Sequence, residues 1–201
     1  MEQNNILVFD LSGVFFNDGL EKAISYISNK YKLEPKNVEY VLNGSFAEEY
    51  RTGLIKVEDF WDSAKEYLKV ENIEDIKKIF FGSYYPQKQS LELIKKLRDI
   101  NVKVAYLSDS PKDRVEYLNN KYNFISLFDF GIFSYEAHSR KPDINIYKKF
   151  TERFKLDPKK VIYIDDREKN LIPAKQLGMK TILYKSITQL QEELKNLGYE
   201  I

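Results

Sequence analysis

The chain has no cysteine and a single histidine. Without thiols it can form no disulfide, no thiolate zinc site and no cysteine nucleophile. With His138 as the sole imidazole, a Ser-His-Asp triad would have to run through that one residue. An excess of charge is missing as well: 32 Lys and Arg face 31 Asp and Glu, a formal charge of +1. That balance gives no broad basic field for nucleic acid and no polybasic stripe for a membrane surface. No run approaches the ~18 apolar residues needed to span a bilayer. The opening Met-Glu-Gln-Asn-Asn lacks a basic stretch and a small-residue cleavage site. The expectation is a soluble cytoplasmic protein that binds neither nucleic acid nor membrane.

What is present is ample core material. Of 201 residues, 43% are hydrophobic and 14% aromatic, which suits one core domain with a modest insertion. Three short apolar runs end in polar, acid-bearing residues: Ile6 to Phe9 before Asp10, Val102 to Leu107 before Ser108, and Val161 to Ile164 before Asp165. Their length and β-branched content predict buried strands. Leu91, Ile94, Leu97 and Ile100 follow a helical period, as do Ile172, Ala174 and Leu177, and Gly178 closes that helix ahead of a strand over Thr181 to Tyr184. Alternating strands and helices imply a parallel sheet covered on both faces. Ligands in such sheets bind beyond the carboxyl ends of the strands, where all three polar tails lie.

Residues 17–86 read differently. Glu21 to Tyr31, Val38 to Tyr50, Val57 to Lys69 and Ile73 to Phe81 are amphipathic helical patterns, with no strand among them. The fold class predicted is α/β, a Rossmann-like parallel sheet core made by residues 1–16 and 87–201, with a small all-helical cap over 17–86 inserted after the first strand.

Four stretches could carry chemistry, each with a plainer alternative. Asp10 precedes Gly13, whose backbone freedom would let the chain turn sharply and aim the carboxylate into the crevice; it could be a nucleophile or merely cap a turn. Asp165 and Asp166 are adjacent carboxylates whose repulsion favours a cation. Magnesium suits oxygen ligands of this kind; one helix cap and one solvated acid is the alternative. Ser108 leads into Asp109-Ser-Pro-Lys and could hold a phosphate oxygen at a helix start, or simply cap that helix. Lys141, kept out of helical geometry by Pro142, which is expected to start the following helix, could neutralise a carboxylate and a transferring phosphoryl group, or lie exposed.

The ordered set is more specific than its parts. FDLSGVFF, VAYLSDS, SRKPDINIY and VIYIDDREKNLIPAKQLGMKTIL, with RTGLIKVEDFW in the helical stretch, resemble the haloacid-dehalogenase superfamily over essentially the whole chain. The likeness is to its helical-cap branch, with sugar-1-phosphate phosphatases and the N-terminal domain of soluble epoxide hydrolase. By that resemblance Asp10 is the nucleophile and a magnesium ligand, the Ser12 carbonyl completes the metal shell, and Asp166 is the metal carboxylate with Asp165 in support. Ser108 would hold the phosphoryl group, Lys141 would balance charge, and the cap would select a small phosphorylated substrate.

Two residues depart from the pattern. Ser12 stands where the family's acid/base Asp belongs, and a hydroxyl cannot protonate a leaving group at neutral pH. Lost acid–base help of that kind costs roughly 10²–10⁴-fold, which favours good leaving groups such as a sugar-1-phosphate or acyl phosphate. Asp18, Glu21 or Asp109 could substitute. Asp109 replaces an Asn that would donate to phosphate. His138 replaces a Gly and is expected on the surface, while Phe46, Tyr50 and Trp61 are expected in the cap. The alternatives to a magnesium phosphatase are a metal-independent dehalogenase-type hydrolase and a non-catalytic ligand-binding or partner-binding relative.

Overall fold

The computed structural model describes residues 5–201. Five strands, β1 (Ile6–Phe9), β2 (Val104–Ser108), β3 (Phe130–Phe133), β4 (Val161–Asp165) and β5 (Lys180–Leu183), form one sheet in the order β3-β2-β1-β4-β5. Every pairing is parallel. Successive side chains point to opposite faces. Leu7, Phe9, Val104, Tyr106, Ile162 and Ile164 therefore enter one core layer, and Val8, Ala105, Leu107, Val161 and Tyr163 enter the other. Burial on both faces is why these strands read as continuous apolar runs rather than alternating ones.

Register then fixes the rim. Phe9 pairs with Tyr106 on one side and Ile164 on the other, and Asp10 N donates to Ile164 O at 2.8 Å. The residues that follow β1, β2 and β4 consequently share one edge of the sheet. β3 carries no signal of its own in the sequence reading: it is four residues long with Gly131 in its middle. A Cβ on Gly131 would lie 2.4 Å from the Tyr106 ring, so the position is set by packing, not by strand propensity.

The stretch after β1 is helical: α1 (Leu20–Tyr31), α2 (Pro35–Asn43), α3 (Glu48–Arg51), α4 (Val57–Leu68) and α5 (Ile73–Gly82). The single helix expected over Val38 to Tyr50 is broken. α2 stops at Gly44, and a 3₁₀ turn, Ser45–Ala47, leads into α3. Glycine is a common helix stop, and the Arg51 side chain turns back to donate to the Leu42 carbonyl at 2.9 Å, satisfying a terminal acceptor that the helix leaves open.

Two chain segments join this stretch to the sheet, and they are tied to each other. Phe16 and Pro86 form an antiparallel bridge, Asn17 N donates to Tyr85 O, and Gln87 N donates to Phe15 O. The Asn17 side chain bonds Ser83 and Tyr85, and that of Gln87 reaches the Gly13, Val14 and Phe16 carbonyls. The remaining helices, α6 (Lys88–Asp99), α7 (Lys112–Tyr122), α8 (Ser134–Ala137), α9 (Ile144–Arg153), α10 (Glu168–Gln176) and α11 (Ile187–Asn196), complete the layers. Pro142 does not begin α9 as the sequence reading expected. Asp143 does so, its side chain accepting from Asn145 N.

Candidate active site

Lys141 organises the rim. Its side chain is buried, and Nζ lies 2.7 Å from Asp10 Oδ1, 2.9 Å from Asp165 Oδ2 and 3.2 Å from the Leu107 carbonyl. One ammonium thus joins the ends of β1, β2 and β4. Burial works against its charge, but Asp10, Asp165 and Asp109 outweigh that and hold its pKa above the ordinary lysine range.

The three aspartates at the rim differ in what they have left to offer. Asp165 is fully buried and saturated: it accepts from Lys141, Tyr163 OH, both contacts of Asn170 Nδ2, and Arg167 N. Burial alone would raise its pKa, yet Lys141 and these donors keep it low. Asp10 accepts from Leu11 N at 2.7 Å besides its ion pair. Burial pushes its carboxyl up to about 8; Lys141 opposes this, while Asp165 and Asp166 add to it. Asp166 is raised too, first by burial and then by Asp165, and its buried Oδ1 has no hydrogen-bond partner among the described residues. Oxygens of all three lie within 4.8 Å of one another.

Gly13 makes the approach of Asp166 possible. Its φ is +85°, and a Cβ there would fall 2.4 Å from Asp166 Oδ2. The glycine that the sequence assigned to a sharp turn therefore also clears space for a carboxylate. Beside Asp10 is a cavity of about 50 Å³, walled by Ser12, Asp18, Asp109 and Lys141 from the expected set, and by Arg51, Arg114 and Arg140.

A family model described as haloacid dehalogenase-like hydrolase matches residues 7–184. The chain belongs to that family. Among relatives, a sesquiterpene phosphatase of Aspergillus oryzae is 24% identical, with 86% of this chain and 85% of that protein covered. The bifunctional epoxide hydrolase 2 of Sus scrofa is 39% identical over 75 residues, which are 37% of this chain and 14% of that one. A solved haloacid dehalogenase family enzyme of Bacteroides thetaiotaomicron, crystallised with magnesium and inorganic phosphate, superposes with a TM-score of 0.75 at 25% identity, covering 90% of this chain and 94% of that one.

Within this haloacid dehalogenase-like fold, the residues present suit a divalent cation. Asp10 and Asp166 retain unengaged oxygen donors, the Asp166 oxygen is orphaned in a buried position, and three carboxylates face one lysine. Hard oxygen donors with surplus negative charge are what magnesium takes. Asp165 has no oxygen to spare and orients Lys141.

Other expected residues land differently. Ser108 ends β2 but is 1% exposed and does not line the cavity; its Oγ lies 3.2 Å from Ser110 Oγ. Asp109 turns aside, accepting from Lys141 N at 3.0 Å and pairing with Arg140 Nε at 3.5 Å. Asp18 lines the cavity, whereas Glu21 does not. His138 is exposed, as expected, with Nδ1 3.0 Å from the Thr52 carbonyl. Phe46, Tyr50 and Trp61 are absent from the cavity wall. Tyr50 OH and Trp61 Nε1 donate instead to Asp113 of α7, at 2.5 and 2.8 Å. Arg51 and Arg140 fall within RTGLIKVEDFW and SRKPDINIY, yet nothing in those segments marks an arginine for the cavity, and Arg114 stands alone on α7.

No helix of the described residues is long and apolar enough to cross a membrane.

Proposed function

We propose that the chain is a magnesium-dependent phosphatase acting on a small phosphorylated metabolite through an aspartyl-phosphate on Asp10. The observation that carries this is the orphaned Asp166 oxygen beside Asp10, with a single buried lysine for three carboxylates. In this reading residues 17–86 form a cap and residues 1–16 and 87–201 the catalytic core, a division supported by the paired connecting segments at Phe16 and Pro86.

Asp10 and Asp166 would hold the cation, together with the Ser12 carbonyl. When bound, magnesium would draw charge from the phosphoryl oxygens. The chain's own residues do the rest. The Asp10 carboxylate attacks phosphorus, the bond from phosphorus to the leaving oxygen breaks, and the leaving group departs as its oxyanion, which takes a proton from water. Water then cleaves the aspartyl-phosphate and releases inorganic phosphate. Lys141 keeps Asp10 oriented and offsets charge on the phosphoryl group, and Asp165, Tyr163 and Asn170 hold Lys141 in place. Ser108 would bind a phosphoryl oxygen, which requires it to exchange its contact with Ser110. Ser12 leaves the acid/base position without an acid, so activated leaving groups are favoured. The cavity is lined from both the helical stretch (Arg51) and the sheet layer (Arg114, Lys141), so substrate entry and release would require the cap to move.

The test is a panel of phosphate esters with and without magnesium. Metal-dependent phosphate release that disappears in Asp10→Asn is the expected result. Halide release in chelator would transfer the activity to a metal-free dehalogenase. A folded, magnesium-binding protein inert to both panels would leave a ligand-binding relative.

A further inference from the structure

Two arginines on the cavity wall have no carboxylate of their own. Arg51, from α3, and Arg114, from α7, are 6% and 3% exposed, and neither forms an ion pair among the described residues. Arg140, their neighbour, is already matched by Glu48 at 2.6 Å and Asp109 at 3.5 Å. Unpaired buried guanidinium groups are costly, and two facing one cavity are more so. Burial, then Arg114 and then Arg140 push the Arg51 pKa down to about 10, with Tyr84 and then Asp109 offsetting only part of this.

Both groups are held in place with donors left over. Arg51 spends one amino group on the Leu42 carbonyl. Arg114 donates from Nη2 to the Asp109 carbonyl and to Ser110 Oγ, at 3.0 and 2.8 Å. Its guanidinium lies over the Tyr84 ring at 4.8 Å and the Phe80 ring at 5.5 Å, and its buried Nε has no hydrogen-bond partner among the described residues. A planar fork locked this way is suited to a carboxylate or phosphate. The two arginines come from the helical stretch and from the sheet layer, so an anion between them would bind both.

We infer that the substrate carries a second anionic group, a carboxylate or a phosphate separate from the one transferred, and that Arg51 and Arg114 bind it. This names the substrate class for the phosphatase reading and rests on it. It also explains how a cavity lined mostly by charged and polar side chains could discriminate among small phosphate esters: by charge at the far end rather than by shape.

Non-hydrolysable probes separate this inference from the reading beneath it. Binding of methylphosphonate, phosphonoacetate and methylenediphosphonate to the magnesium-loaded full chain would be measured by calorimetry. Phosphonoacetate or methylenediphosphonate is expected to bind about tenfold or more tighter than methylphosphonate, the order of a charge-assisted hydrogen bond. Which of the two wins identifies carboxylate or phosphate. That preference should collapse in Arg51→Met and in Arg114→Met, survive in part in Arg51→Lys and Arg114→Lys, and weaken as salt rises. Should the Met variants fail to fold, the Lys pair and the salt series still decide the matter. Equal affinities in the native protein, or a preference untouched by both arginines, would overturn the inference even if phosphate esters are hydrolysed. Failure of hydrolysis with the arginine-dependent preference intact would instead count against the phosphatase reading alone.

Discussion

Replacing Lys141 by Met should show how much of the fold depends on one ammonium. Methionine keeps most of the volume, so the main loss is charge. The contacts removed are those to Asp10 at 2.7 Å, Asp165 at 2.9 Å and the Leu107 carbonyl at 3.2 Å, all in a site where Lys141 is 4% exposed. Breaking a buried pair by deleting one partner costs about 3–5 kcal/mol, because the other charge stays buried. For a chain of this size each kcal/mol lowers Tm by about 2–4 °C, so a fall of about 6–20 °C is expected. The assay is urea and thermal unfolding in chelator. The decisive measurement is the cycle with Asp165→Asn: once the carboxylate at position 165 is neutral, losing the lysine should hurt less, with a coupling of about 1–3 kcal/mol. A penalty under about 1 kcal/mol, or additivity within about 0.5 kcal/mol, would refute the view that Lys141 is held by these carboxylates.

Three further outcomes follow from the same geometry. In chelator, stability should decline as pH rises from about 5 towards 8: folded Asp10 keeps its proton up to about 8, against 3.8 for an ordinary Asp, so the folded state binds more protons in that window. Magnesium should reverse the decline, and a thermal profile indifferent to chelator across that range would contradict this. Gly13→Ala, at φ +85° and with a Cβ 2.4 Å from Asp166, should cost about 1–2 kcal/mol of backbone strain and sharply weaken magnesium binding; calorimetry showing native affinity would argue against Asp166 as a ligand. Ser12→Asp should raise turnover of unactivated alkyl phosphates by roughly 10²-fold or more if position 12 is the acid/base site, and no gain in a folded, magnesium-binding variant would count against that placement.

Much of this is readable in the sequence alone. The apolar runs ending at Asp10, Ser108 and Asp165 became β1, β2 and β4, because strands buried on both faces must be continuously hydrophobic. Their parallel pairing brings residues 10, 108 and 165 to one edge of the sheet although they are distant in sequence. β3 stayed hidden since Gly131 is dictated by the Tyr106 ring across the sheet, a tertiary cause with no local trace. The break at Gly44 was missed because the apolar period runs on through it, and the helix ends where Arg51 can reach back to Leu42. Tyr50 and Trp61 are expected in the helical stretch and lie there, but that their polar atoms are satisfied by one carboxylate, Asp113 of α7, making a seam, has no local trace. Periodicity can locate a residue on a helix face; which partner that face meets is decided by the rest of the chain.

That seam gives the protein an intrinsic optical gauge. The only indole in the sequence belongs to Trp61, and its N–H is fastened to Asp113 across the junction of the helical stretch with α7, with Phe60 and Phe81 edge-on to the ring. If the helical stretch moves away from α7 as the proposed cap would, this bond must break and the indole become wet, so emission wavelength alone would report that movement in real time, in unlabelled protein and without a chromogenic substrate.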